Sequence, residues 1–302
     1  MQPPFFCYRE EWLMEHNNLK IRPKQPYFVM ASSKYYKSVI LKYGISHFYS
    51  FELTEEKDNA VLAIPDGCVD ILFCCDESHP EARICGTVLS PSVVFNQNAA
   101  YYFGVRFLPG KVPDICSLPM SEIIDQELPL DEVIQDKELI EKITSIRDFK
   151  QQQKTFLDTY LHYYILSGGY NPKQNLREYL ISQIILSTGN LSIGELSAQT
   201  GYSERYINKI FKAYYGMTPK MFSKMMRFQY LLDNLNLNME HVDFAELAQI
   251  TGYYDQSHMM KDFKSFTKTT PRKYLLSLEH ENYDDRLIVI RREKKTGDSN
   301  EI

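Results

Sequence analysis

Two short polar sets recur at helical spacing near the C-terminus. Arg205, Asn208, Lys209 and Lys212 fall at i, i+3, i+4 and i+7, and Ser257, His258, Lys261 and Lys264 follow a similar rhythm. That spacing places each set on one face of a helix. Guanidinium, ammonium and carboxamide groups held in this way can donate to the edges of guanine or adenine in a major groove. Hydroxyl and imidazole groups can meet either a base or a phosphate. The chemistry suggested is recognition rather than bond making.

The elements that would carry these groups come in duplicate. Residues 195–202 read ELSAQTGY and residues 246–253 read ELAQITGY. The glycines Gly201 and Gly252 lie 51 residues apart, and Pro219 and Pro271, each after a threonine, lie 52 apart. In each copy a short helix, beginning near Ser192 in the first, runs into a Thr-Gly-Tyr turn, where glycine can take the left-handed conformation that ends a helix. Ser203 and Asp255 then stand where an N-cap is needed for a second helix. Ile207, Ile210 and Phe211 supply the inward face of one such helix, and Met259, Phe263 and Phe266 that of the other. Helix, glycine turn and helix with a polar-basic outer face is the helix-turn-helix pattern, here repeated. Between the copies, 220–235 reads as one apolar-striped helix about 24 Å long. Such a connector could present two recognition helices to major-groove faces about 34 Å apart. The alternative is a helical bundle in which the polar residues form a solvated face.

Composition narrows the class. The 302 residues are 44% hydrophobic and 24% charged, as expected of a globular protein with room for two domains. No apolar run reaches membrane-spanning length, and the N-terminus lacks a basic region followed by an apolar stretch, so neither a transmembrane helix nor a secretory signal is expected. The six scattered cysteines, with Cys74 and Cys75 adjacent, read as reduced thiols in a cytoplasmic protein. The net charge of −5 is unevenly spread: residues 1–170 carry 16 Lys/Arg against 23 Asp/Glu, whereas 191–276 carry 11 against 8. The two halves therefore suit different partners.

The first half reads as short strands at 47–53, 60–64, 69–74, 83–89, 92–96 and 101–107, separated by Pro65-Asp66-Gly67, Ser78-His79-Pro80 and Ser90-Pro91. Such spacing predicts an antiparallel β-barrel or sandwich. Residues 121–166 turn helical, with an apolar stripe through Ile143, Ile146, Phe149, Phe156, Leu157 and Leu161 that could pack on the barrel or on a second subunit. Ser167-Gly168-Gly169 and Asn171-Pro172 form the clearest linker. The charged stretch 279–302 is expected to fray.

Residues 174–276, through LSIGELSAQTGYSERYINKIFKAYYGMTPKMF and FAELAQITGYYDQSHMMKDFKSFTKTTPRKYL, resemble the double helix-turn-helix domain of the AraC/XylS family of bacterial transcription regulators. The resemblance implies an α+β chain: a cupin-like antiparallel β-barrel for effector binding or dimerisation over 1–120, a helical linker or dimerisation segment over 121–170, the DNA-binding domain over 171–276, and a charged tail over 277–302. It implies that Arg205, Asn208 and Lys209 face the major groove in the first unit and Gln256, Ser257, His258 and Lys261 in the second; the cap Ser203, and Lys212 on the same helix face, complete the candidate DNA-binding set. Promoter DNA is the implied partner, with a small-molecule effector, RNA polymerase and a second copy of the chain as further candidates. Three positions depart from the family pattern. Lys268 stands where the first unit has Gly216, Met259 replaces a common aromatic residue, and Leu275 a common arginine.

PDGCVDILF (65–73), GVRFLPG (104–110) and the following SLPMSEIIDQELPL resemble a domain often found ahead of this DNA-binding domain, one without an established ligand. Asp66, Asp70, Tyr102 and Arg106 are the candidate effector-binding residues there, since aromatic rings with a few charges make a fair small-molecule pocket. The plainer alternative is that Asp66 and Gly67 make a turn and Arg106 pairs with a carboxylate. The histidines of this half, His16, His47, His79 and His162, are far apart in sequence, so no metal, cofactor or catalytic residue is expected. Two other readings stay open: a regulator without an effector, and a cupin-like binding protein or enzyme whose helical half is a scaffold.

Overall fold

The computed structural model describes residues 21–53, 60–95, 101–166, 172–237 and 242–290. The first half is sheet-rich. A short helix α1 (Pro26–Ala31) leads into β1 (Ser32–Lys42) and β2 (Ile45–Leu53), followed by β3 (Ala60–Ala63), β4 (Asp70–Cys74), β5 (Glu81–Cys85), β6 (Ser92–Phe95) and β7 (Tyr102–Phe107). Helix α2 (Met120–Ile123), strand β8 (Glu127–Pro129) and helices α3 (Leu130–Val133), α4 (Glu138–Thr144) and α5 (Phe149–Leu166) complete it. Helices then follow one another: α6 (Pro172–Leu186), α7 (Ile193–Thr200), α8 (Glu204–Tyr215), α9 (Pro219–Leu237), α10 (Phe244–Ile250), α11 (Gln256–Thr267), α12 (Pro271–His280) and α13 (Tyr283–Arg286). The last described element is β9 (Leu287–Ile290).

Seven strands form one sheet in the order β8-β5-β4-β7-β2-β1-β9, and β3 pairs with β6 as a separate ribbon. Pairing within the sheet is antiparallel except at its edge, where β9 runs parallel to β1. Among the described residues the sheet does not close on itself into a hydrogen-bonded barrel, so the cupin-like form is an open one. Strand alternation gives the sheet two working faces. Ile71, Phe73, Phe103, Val105 and Phe107 are fully buried. Rings from this face meet α5: Phe73 packs edge-on against Phe156, and Phe107 against Tyr160. The other face carries Tyr35, Tyr49, Asp70, Tyr102 and Arg106, which line a cavity.

The stripe on 139–166 packs on the sheet through Phe149 and Phe156, and Tyr160, which the stripe did not include, packs there too. It is split between two helices by 145–148. Ile165 and Leu166 at its end are 73% and 69% exposed. The predicted linker at 167–171 lies outside the described residues.

Several elements differ from expectation. The stretch 121–166 is not helical throughout, since β8 (Glu127–Pro129) pairs antiparallel with β5 and extends the sheet edge. β1 went unread because Lys34 and Lys37 interrupt its apolar residues, yet Tyr35 and Ser38 are buried beneath it. The tail does not fray over 279–290. Tyr283 is buried, and Leu287–Ile290 adds a strand to the sheet edge, pairing Tyr35 with Leu287 through to Ser38 with Ile290. Four consecutive apolar residues form that strand within an otherwise charged segment, and edge pairing satisfies their backbone groups.

Candidate functional site

The duplicated helices have the local structure their residues dictate. Ser192 and Glu195 form a reciprocal capping box at the start of α7, and Gly201 ends the helix with φ 73°. The Ser203 hydroxyl accepts from the amide of Tyr206 at 3.3 Å and so starts α8. In the second unit Asp243 caps α10, and the Asp255 carboxylate accepts from the amide of His258 at 2.7 Å to start α11. Ile207 and Phe211 are fully buried on the inner face of α8, with Ile210 half-buried; Met259, Phe263 and Phe266 are buried on that of α11.

The outer faces carry the sequence-predicted residues. Ser203, Arg205, Lys209 and Lys212 are exposed, and Asn208 is half-buried with its amide donating to the carbonyl of Glu204 at 3.0 Å. Gln256, Ser257, His258 and Lys261 are exposed together on α11. Each group thus lies on one helix with its neighbours. The caps engage Ser203 and the 255–258 turn within the protein, which orients the first turn of each helix. Two aromatic residues escaped the sequence reading. Tyr254, just ahead of α11, is 92% exposed, and Tyr202, ahead of α8, is 42% exposed with its ring stacked on Tyr206 at 5.1 Å. Their signal was the tyrosine at or after each Gly-Tyr turn.

The four candidate effector residues Asp66, Asp70, Tyr102 and Arg106 all line one cavity of about 390 Å³. Arg106 lies between the two carboxylates, with Nη1 3.0 Å from Asp66 and Nη2 2.8 Å from Asp70, while Nε donates to Asp70 at 2.9 Å. Arg106 therefore pairs with carboxylates, as the plainer alternative holds, and does so inside a cavity. Burial alone would lower its pKa, but Asp70 and Asp66 hold the guanidinium charged. Burial pushes the Asp66 carboxyl up from its ordinary range, with Arg106 drawing it back. Gly104 sits mid-strand on the same face because a Cβ there would lie 2.1 Å from the Tyr49 ring, which crosses its backbone. The ribbon contributes Ala63, Val93 and Val94 to the cavity.

Residues 196–277 match the family described as a helix-turn-helix domain, and residues 38–129 match a domain of unknown function (DUF6597). The C-terminal domain is of the AraC-type helix-turn-helix kind. No curated protein matches the chain. Among solved structures, ToxT from Vibrio cholerae O395 is similar at 12% identity and a TM-score of 0.39, over 81% of this chain and 96% of that one. The C-terminal domain of AraT, a response regulator from Geobacillus stearothermophilus, is similar at 17% identity and a TM-score of 0.30, over 42% of this chain and 95% of that one.

The AraC-type domain is bound to the sheet domain through its connector. α9 buries Phe222, Met225, Met226, Phe228, Leu231, Leu232 and Leu235. It also buries Gln229 and Asp233. The Gln229 side chain donates to the carbonyl of Pro65 at 2.9 Å and accepts from the amide of Lys24 at 2.8 Å. Asp233 accepts from the amide of Arg22 at 2.7 Å and meets Lys24 Nζ at 2.9 Å. Gln25, next in the chain, donates to Asp66 at 2.9 Å and to the carbonyl of Ile64 at 2.6 Å. Segments 22–25 and 64–68 therefore touch the cavity on one side and the connector of the AraC-type domain on the other. Sequence reading missed Gln25 and Gln229, since a lone glutamine carries no pattern.

Proposed function

We propose that the protein is a sequence-specific DNA-binding transcription regulator whose affinity for promoter DNA is set by a small molecule held in the sheet-domain cavity. Arg205, Asn208, Lys209 and Lys212 read the first segment of major groove, with Ser203 beside them. Gln256, Ser257, His258 and Lys261 read the second, and Tyr254 reaches the backbone beside it.

The observation that carries the effector part of this reading is the shared loop. Asp66 faces the cavity and pairs with Arg106, while Pro65 beside it accepts from Gln229 of α9. α9 joins the two recognition units, so a ligand that shifts the Asp66 loop shifts the element that spaces them. A ligand acts in this way only through different affinity for two arrangements, and the same difference appears in its effect on DNA binding. An RNA polymerase contact and a second copy of the chain are compatible with this reading and are not required by it.

The test is retardation of DNA from the chain's own upstream region by the purified full-length protein. Arg205→Ala and Lys261→Ala should each weaken specific binding by about 1–3 kcal/mol. Unchanged binding in both variants would remove the residue assignment, and absence of any retardation would remove the reading itself.

A further inference from the structure

The proposed effector site, on which this inference rests, has a charge pattern that selects its ligand. Among the described residues, the cavity is lined by the carboxylates Asp66, Asp70, Glu81, Asp125 and Glu127, against the guanidiniums of Arg83 and Arg106, and by no lysine or histidine. Both guanidiniums are already committed. Arg106 is held between Asp66 and Asp70. Arg83 lies between Glu81 at 2.6 Å and Glu127 at 3.3 Å. Each arginine therefore carries two carboxylates, and Asp125 adds one more. An anion entering this space would meet an excess of negative charge and would have to displace a carboxylate to reach a cation.

The opposite feature is an aromatic wall. Tyr35 and Tyr49 stack at 5.5 Å with an interplanar angle of 7°, and Tyr102 continues the stack through Phe51 at 4.9 Å. Tyr35, Tyr49, Tyr102 and Phe28 all reach the cavity. Aromatic faces attract cations, most strongly where water is excluded. They also accept flat apolar bodies. At about 390 Å³ the space is large enough for a molecule with both parts.

We propose that the cavity takes an organic cation: a primary amine or amidine on an aromatic or short apolar body. The ammonium lies among Asp66, Asp70 and the Glu81–Glu127 pair, and the apolar body lies along the Tyr35–Tyr49 wall. Gln25 connects this site to the connector helix. It donates to Asp66, and the preceding residue, Lys24, is held by Gln229 and Asp233. A cation that draws on Asp66 competes with Gln25 for the same carboxylate, and release of Gln25 loosens the 22–25 segment from α9.

The experiment uses the full chain and matched probes that differ only in charge: phenethylamine, 2-phenylethanol and phenylacetate, with the hexyl amine, alcohol and acid as a second set. Thermal shift and calorimetry give binding, and DNA retardation is run on the same samples. The amines should raise the unfolding midpoint and bind about tenfold more tightly than the alcohols, with no shift from the acids. The double variant Glu81→Gln/Glu127→Gln, at the exposed rim, should reduce amine affinity about fivefold and leave the alcohols unchanged. Acids binding as tightly as amines, or no probe of either set binding, overturns the proposal. So does a rim variant that retains full amine affinity. The regulator reading fails separately, if the chain does not retard DNA. If amines bind and retardation does not respond, the ligand class stands and effector control of DNA binding falls.

Discussion

In the first helix-turn-helix unit α8 ends at Gly216, with φ 68°, and rests against Ser121 and Ile124 of the sheet domain. The Ser121 hydroxyl donates to the carbonyl of Ala213 there at 3.1 Å. In the second unit α11 ends at Lys268, also left-handed with φ 62°, and the chain continues through α12 and α13 into β9 on the sheet edge. The first unit is thus held by a close approach at a glycine with positive φ, where a Cβ would lie 3.0 Å from Ile124 Cγ2 and 3.1 Å from Ser121 Cα. The second is held by its covalent continuation and by Tyr27, whose ring packs on Tyr274. One device, duplicated, has acquired two different attachments. The left-handed lysine stands at an exposed position, and the glycine stands where the sheet domain packs against the helix end.

The largest expected difference between the units is in base reading. Arg205, Lys209 and Lys212 give the first unit three exposed cations, whereas in the second His258 lies beside Asp262, with Nε2 3.8 Å from the carboxylate. Arg205→Ala should therefore cost more specific affinity than Lys261→Ala within the range of about 1–3 kcal/mol. Exchanging the operator half-sites should reverse their order of importance. Equal losses in the two variants, measured as retardation midpoints at fixed salt, would break the ranking.

The attachment of the second unit comes next. Arg286 Nη1 donates to the carbonyls of Ser32 at 2.6 Å and Met30 at 3.0 Å, fastening the tail where β9 begins. Arg286→Ala removes charge-assisted bonds from the carbonyls of two buried residues and should cost about 2 kcal/mol. Hydrogen exchange should speed up in β9 and α12 and leave α8 unchanged. Faster exchange in α8 as well would mean that the two attachments are not independent.

Substitution of the two helix ends gives a smaller effect of opposite sign. Gly216→Ala places a Cβ 3.0 Å from Ile124 Cγ2 at positive φ and should destabilise by about 1–2 kcal/mol. Lys268→Gly relieves the left-handed lysine and should stabilise by about 1 kcal/mol. Urea unfolding of both variants checks the pair. Equal and like-signed changes would show that the φ values do not govern either end.

What could be read in the sequence followed local chemistry. The caps Ser203 and Asp255, the buried Phe211 and Phe263, and six strands within a few residues all follow from side-chain type and period. The cavity residues Asp66, Asp70, Tyr102 and Arg106 were nameable as candidates because charges within strands are unusual. That Arg106 pairs with a carboxylate was one of the readings, but which carboxylate was not legible, because Asp70 and Arg106 face each other only through the β4–β7 register. β1 and β9 escaped for a related reason. A parallel strand from the far end of the chain has no local signature beyond LIVI, and its partner is interrupted by lysines.

The smallest effect tests whether the second attachment is sensitive to pH. His47, Lys37, Arg106, Tyr283 and Leu287 line one small cleft between the sheet and the tail. His47 is buried, with Nδ1 3.0 Å from the Ser46 hydroxyl, and burial pushes its pKa well below the ordinary 6.5, with Lys37 and Arg106 adding to the shift. The folded chain therefore keeps this imidazole neutral while the unfolded chain takes up a proton. Stability is fully present above pH 6.5 and is lost as the pH falls below it. Lowering the pH from 7.5 to 5.5 should loosen β9 before it affects the contact of α8 with Ser121, and His47→Gln should remove part of that dependence. The check is hydrogen exchange of β9 and α8 at both pH values. If the two respond equally, the pH dependence belongs to the whole fold, and the comparison between the attachments rests on Arg286 and Gly216 alone.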